Sequence, residues 1–106
     1  MAELLSGTLD LLVLRVLNSG PRHGFGIGER IHLLSKEALT VEEGSLYPAL
    51  YRMEAKGWIE AEWGQSDKGR KAKLYSLTKE GQRQLGRERQ SWNEMAVTIG
   101  DILKNA

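Results

Sequence analysis

The spacing of apolar residues predicts two helices in the first third of the chain. Thr8 to Asn18 carries apolar side chains around nearly the whole helix circumference, which predicts a helix that is buried on more than one side. Gly20 and Pro21 close this helix, and a second short helix is predicted to run to about Ser35. Its apolar positions are Phe25, Ile27, Ile31 and Leu34. The short apolar run at residues 39–41 predicts a minimal strand beside a later hairpin.

A third helix is predicted from three apolar residues that fall on one helix face, Leu46, Leu50 and Met53. Ser45 is the expected N-cap, and Pro48 then occupies the third helical position, where its missing N–H leaves no helix bond unmade. Gly57 can adopt the left-handed conformation that ends a helix, so we expect the helix to stop there.

A hairpin is predicted directly after this helix. Residues Trp58 to Trp63 alternate apolar and acidic side chains in strand fashion, and Lys71 to Leu77 returns as the second strand. Between them, Gly64 to Arg70 forms a polar, glycine-containing loop. A helix followed at once by such a hairpin is the arrangement of a winged helix-turn-helix.

The last predicted helix begins after Thr78, a favourable N-cap, and runs from Lys79 to about Lys104. At 1.5 Å per residue it would be about 39 Å long, which exceeds the width of so small a domain. Apolar residues recur along it at the a and d positions of a heptad pattern: Leu85, Trp92, Met95, Ile99 and Ile102. This stripe predicts packing against the same helix of a second copy, and hence a homodimer.

Composition bounds the class of protein. With 106 residues the chain makes a single domain, mainly α with a small β-hairpin. Its net charge is only +1, yet residues 65–90 hold eight Lys or Arg against three Asp or Glu, a local charge of +5 that favours a polyanion partner. Charged residues interrupt the leucine-rich start, so neither a targeting segment nor a membrane span is expected and we predict a cytoplasmic protein.

The sequence contains no motif that indicates an enzyme active site. The chain has no cysteine, which excludes disulfides and thiolate sites. The glycines after His23 do not have the spacing of a phosphate-binding loop, and no strand is predicted before them. His23 and His32 lack a third partner at metal-ligand spacing. We therefore expect no metal, no cofactor and no catalytic site.

Nucleic-acid chemistry fits the third helix and the hairpin better. The outward face of the helix carries four residues expected to contact a DNA groove, Ser45, Tyr47, Tyr51 and Arg52. The hairpin carries four cations expected to contact phosphates or the minor groove, Lys68, Arg70, Lys71 and Lys73. A winged-helix module that binds another protein through Tyr47 and Tyr51 is the alternative, although such a module would not need the basic segment.

The chain resembles the PadR family of transcriptional regulators along nearly its whole length. The resemblance is carried by residues 23–27 (HGFGI), 44–50 (GSLYPAL), 57–59 (GWI) and 75–81 (YSLTKEG), together with Glu54. It implies a dimeric winged helix-turn-helix repressor whose Ser45 helix reads the major groove of an inverted-repeat operator in double-stranded DNA.

The resemblance also implies a division of the chain. Residues 5–78 would form the winged helix-turn-helix part, and residues 79–106 a C-terminal dimerisation helix. The chain is similar to the short-tailed branch of the family, because one helix follows Gly81. Some short-tailed relatives bind flat apolar aromatic effectors between subunits, which makes Trp92 a candidate effector contact.

Overall fold

Four helices and a three-stranded antiparallel sheet make up the part of the chain that the structure describes, residues 7–65 and 69–106 of a computed structural model. The elements in chain order are α1 (Thr8–Asn18), β1 (Arg22–His23), α2 (Gly24–Leu34), α3 (Glu43–Ala55), β2 (Ile59–Gln65), β3 (Lys71–Leu77) and α4 (Lys79–Asn105). The sheet order is β1–β3–β2. This arrangement confirms the predicted winged helix fold.

Helix α1 lies at the centre of the domain. It contacts α2, α3, β3 and α4, and its side chains Val13, Leu14, Val16 and Leu17 are buried. The apolar pattern around its whole circumference is therefore explained by packing on several sides. Ile27, Leu50, Met53 and Ile59 complete the centre of the core from α2, α3 and β2.

The third strand of the sheet differs from the sequence prediction. Residues Arg22 and His23 pair with Tyr75 and Leu74 of β3, whereas residues 39–41 form no strand. The prediction of a strand at residues 39–41 was wrong, because side chains at the C-terminal end of α2 bond the backbone of Leu39 instead of a neighbouring strand. The Leu39 amide donates to the Ser35 hydroxyl at 3.0 Å, and the Leu39 carbonyl lies 2.8 Å from His32 Nδ1.

Helix α3 begins three residues before the predicted start, because its N-cap is Glu42 rather than Ser45. The carbonyl of Glu42 accepts from the amides of Ser45 and Leu46 at 3.0 and 2.9 Å. The carboxylates of Glu42 and Glu43 suit the positive end of the helix dipole. Pro48 therefore lies inside the helix rather than at its third position. Because proline has no N–H, the carbonyl of Gly44 one turn earlier has no helical donor. Gly44 is exposed, so water can bond this carbonyl instead.

The last helix begins as predicted at Thr78. The Thr78 hydroxyl accepts from the Gly81 amide at 2.9 Å and lies 2.7 Å from the Gly57 carbonyl oxygen, so it joins the start of α4 to the end of α3. Helix α4 has 27 residues, and its half beyond Gln90 extends away from the core. This projection makes the molecule 55 Å long but only 21 Å thick.

Candidate nucleic-acid interface

The outward face of α3 presents two tyrosines to solvent. Its inward face holds the helix on the core through Leu46, Ala49, Leu50 and Met53, all at most 5% exposed. Tyr47 and Tyr51, one helical turn apart, are 42% and 77% exposed. Phenol groups in such positions can donate to base edges or phosphates.

The four residues predicted to contact a groove do not all share one flank of α3. At 3.6 residues per turn, Ser45 and Arg52 are seven residues apart and lie together on the flank toward α1. The Arg52 guanidinium donates from Nη2 to Asp10 Oδ1 of α1 at 2.6 Å. Tyr47 and Tyr51 instead turn toward the hairpin β2–β3, here called the wing.

A cleft of about 570 Å³ separates α3 from the wing and is called here the wing cleft. Its lining residues are His23, Gly24, Phe25, Tyr47, Tyr51, Glu54, Trp63, Lys71, Ala72, Lys73 and Tyr75. Phe25 and Trp63 are 69% and 67% exposed, so the cleft is rimmed by aromatic rings. Phe25 was predicted only as part of an apolar helix face and Trp63 only as a strand residue, so neither was predicted to line a site.

Gly24 brings the start of α2 close to Tyr47. A Cβ atom at Gly24 would lie 2.8 Å from the Tyr47 ring, closer than two carbon atoms can approach. The neighbouring His23 places its Nδ1 3.0 Å from the Lys73 carbonyl oxygen, which ties β1 to the wing. Together these contacts position the Tyr47 ring between α2 and the wing.

The cations of the wing occupy different environments. Arg70 and Lys71 are exposed, and neither forms an ion pair within residues 7–65 and 69–106. Lys73, which is paired in register with Trp63, lies 3.5 Å from the Glu54 carboxylate and 5.5 Å from the centre of the Trp63 ring. Lys68 lies outside the described residues. Arg70 and Lys71 are therefore better placed than Lys73 to meet phosphates.

Part of the basic segment is neutralised within α4. Glu80 accepts from Arg83 at 2.8 Å and from Arg87 at 3.1 Å, and these hydrogen bonds hold the pKa of its carboxyl below the usual value.

In the floor of the wing cleft, burial raises the pKa of the Tyr75 phenol above its ordinary value, and the nearby Glu54 and Tyr47 raise it further. Tyr75 is consequently an uncharged hydrogen-bonding group at neutral pH.

The predicted dimer residues fall into two groups. Trp92, Met95, Ile99 and Ile102 are between 48% and 59% exposed and follow one stripe of α4 beyond the core. Leu85 is only 6% exposed because it packs into the core of its own chain. Leu85 was predicted to face a partner subunit, but it is buried within its own chain because the first turns of α4 pack against α1.

Among the described helices, none combines the length and the apolar character that crossing a bilayer requires. Within the same residues, no group of three or more His, Asp or Glu side chains is arranged to hold a metal ion.

The chain is similar in sequence to a family of known proteins. A sequence model described as the transcriptional regulator PadR-like family matches residues 13–87. A protein of Lysinibacillus sphaericus, named only as uncharacterized protein X, is 30% identical over 98 residues, which cover 92% of this chain and 90% of that protein.

Solved structures extend the likeness to the three-dimensional fold. A PadR-like transcriptional regulator from Bacillus cereus is 28% identical with a TM-score of 0.79, covering 99% of this chain and 100% of that chain. A transcriptional regulator from Clostridium thermocellum is 26% identical with a TM-score of 0.83, covering 90% of this chain and 92% of that chain.

Proposed function

The chain belongs to the PadR-like family of transcriptional regulators, and from that premise we propose that it is a homodimeric repressor that binds an inverted-repeat operator. Membership of the family makes it a DNA-binding regulator rather than an enzyme. The observation that carries the proposal is the exposed tyrosine face of α3, flanked by the exposed cations Arg70 and Lys71 of the wing.

In the proposed complex, α3 enters the major groove. Tyr47 and Tyr51 lie on the face that meets base edges, with Ser45 near the start of the helix. Arg70 and Lys71 contact phosphates or the adjacent minor groove, and Lys68 has the same proposed role. Lys73 reaches phosphate only by leaving Glu54, so its contribution to affinity is smaller.

The proposed dimer uses the exposed stripe of α4. Trp92, Met95, Ile99 and Ile102 form a line of half-exposed apolar side chains, which a second copy of the helix would cover. Residues 79–106 then act as the dimerisation helix and residues 5–78 as the DNA-binding part. A two-fold dimer presents two α3 helices, which is why an inverted repeat is expected.

Selection from random duplex DNA at two salt concentrations tests this function. We expect enrichment of an inverted repeat whose half-site centres lie about 10 base pairs, or a multiple of that, apart. Affinity should fall steeply with salt, because cations on the protein displace counterions from the phosphates. Failure to enrich any duplex, together with salt-independent binding, would refute DNA binding. Repression is tested separately by placing the selected operator before a reporter gene.

The aromatic rim of the wing cleft favours one alternative function. Exposed rings of Phe25, Tyr51 and Trp63 could seat a protein segment rather than DNA. The same selection separates the two functions, since a protein-binding module would enrich no sequence.

An effector at the dimer interface is a further proposal that rests on the dimer. Trp92 is 49% exposed within one chain, and two copies meeting at the seam could stack on a flat apolar aromatic molecule. Titration of planar aromatic compounds against Trp92 fluorescence tests it, with Trp58 and Trp63 replaced by Phe. If a compound quenches Trp92 fluorescence but operator affinity does not change, Trp92 only packs in the dimer interface and does not transmit an effector signal.

A further inference from the structure

One buried carboxylate joins the central helix to the helix that faces DNA. Asp10, in the first turn of α1, is only 7% exposed, and its Oδ1 accepts from Arg52 Nη2 at 2.6 Å. A charged donor stabilises a carboxylate at this depth, because burying a charge without a partner is costly. Within the described part of the chain, this is the single ion pair that connects α1 with α3.

The ion pair adds a directional constraint to the apolar packing that holds α3 on the core. Contacts among the buried residues of α3 and the core are non-directional, whereas a charge-assisted hydrogen bond is directional. A rotation of α3 by about 20° would move side-chain tips about 6 Å from its axis by about 2 Å, which is enough to break a hydrogen bond. Tyr51 is the neighbour of Arg52 in the chain, so its hydroxyl would move with such a rotation.

We infer that Asp10 and Arg52 are a positioning pair that fixes the orientation of α3 for reading base edges, and that Arg52 does not read bases itself. The inference deepens the proposed function and rests on it. It also revises the sequence prediction for Arg52, whose guanidinium is directed to α1 rather than to the wing side of α3. Because α1 packs against α4, the pair connects the orientation of α3 to the dimer helix.

The sign of the effect of Asp10→Asn makes the inference testable. This change removes one negative charge, so long-range electrostatics alone would strengthen binding to DNA. A positioning role predicts the opposite: operator affinity should fall about threefold to tenfold, because the neutral amide keeps only a weaker hydrogen bond to the half-exposed Arg52 and α3 then spends less time in the DNA-competent orientation. Asp10 is too buried to contact DNA, so a direct contact cannot explain a loss.

The experiment compares wild type, Asp10→Asn, Arg52→Gln and the double variant on operator and scrambled duplexes. Affinities are measured by fluorescence anisotropy well below each unfolding temperature, so that only folded protein is compared. Each single variant should lose operator affinity while its affinity for the scrambled duplex changes little. The double variant should be no worse than the single ones, because the two residues act as one unit. Arg83→Gln, which breaks an exposed ion pair within α4, controls for the loss of a positive charge.

Several outcomes would overturn the inference. Unchanged or tighter operator binding by Asp10→Asn would refute positioning, and a loss confined to Arg52→Gln would assign Arg52 a direct DNA contact. A lowered unfolding temperature with normal operator affinity would show a purely structural pair. If Asp10→Asn does not fold, Arg52→Lys decides: an altered preferred sequence in repeated selection refutes positioning, whereas weaker binding to the same sequence supports it. Absence of operator binding by wild type would instead refute the proposed function.

Discussion

Replacing Gly81 by alanine tests how tightly the start of α4 is locked to the turn between α3 and β2. A Cβ atom at Gly81 would overlap the Trp58 carbonyl oxygen and lie 2.6 Å from Leu77 Cδ1. The carbonyl cannot move freely, because it accepts from the Thr78 amide at 3.1 Å. The backbone of one element therefore occupies the space that any side chain at Gly81 would need.

The magnitude follows from opposing contributions. Alanine is better than glycine inside a helix by about 1 kcal/mol, which favours the variant. Forcing extra volume into a packed site costs about 1 to 3 kcal/mol, and weakening the hydrogen bond between Thr78 and Trp58 costs about 1 kcal/mol more. The steric cost prevails, so Gly81→Ala should lower the free energy of unfolding by about 2 kcal/mol. In a domain of this size that lowers the unfolding temperature by about 10 °C.

Urea and thermal unfolding, followed by circular dichroism at one fixed protein concentration, measure this difference. Gly86→Ala on the same helix is the matched control, because Gly86 is exposed and a Cβ there meets nothing within 4 Å. The control should be stabilised by up to about 1 kcal/mol through helix propensity. If Gly81→Ala proves as stable as Gly86→Ala, the close approach of α4 to the Trp58 carbonyl is not a constraint on the fold.

The remaining predictions concern the dimer, the interface and pH. Covering the exposed half of Trp92 should contribute about 3 kcal/mol per subunit, so Trp92→Ala should weaken dimerisation at least about a hundredfold in sedimentation velocity. Val97→Ala, on the opposite face, should remain dimeric. Lys71→Ala should weaken binding to all duplexes and flatten the salt slope, whereas Tyr51→Ala should change the selected sequence; an unchanged sequence would remove Tyr51 from base reading. Because the pKa of Tyr75 is raised in the folded state, the free energy of unfolding should fall as pH rises past 10, and Tyr75→Phe should flatten that decline.

Several features follow from short stretches of sequence alone. The bounds of α1 and β3 and the cap at Thr78 were predicted correctly because periodicity, turn residues and capping side chains act over only a few residues. Strand β2 was predicted to end at Trp63, but it continues to Gln65 because Gly64 and Gln65 pair with Ala72 and Lys71 of β3. The exposed tyrosines of α3 were predicted for the same reason, since an apolar stripe on one face leaves the other face outward. Resemblance in the motifs at residues 23–27 and 44–50 identified the family, which the match over residues 13–87 confirms.

Other features depend on partners far away in the chain. Two residues at Arg22 and His23 form a strand only because β3 offers them an edge, and nothing in their local sequence indicates it. Leu85 continues the heptad pattern of α4 but is buried in its own core, because periodicity identifies an apolar face without identifying what covers it. Arg52 and Lys73 were predicted as cations for DNA, yet each meets a carboxylate from another element.

Local sequence was therefore enough to predict the four helices, the wing hairpin, the apolar faces and the family, because those depend on neighbours within one or two turns of chain. Long-range packing, in contrast, pairs Arg52 and Lys73 with carboxylates and leaves Arg70 and Lys71 without an ion pair among the described residues. The reason is that Asp10 lies 42 residues from Arg52, and an ion pair across such a separation forms only once the helices between them have packed.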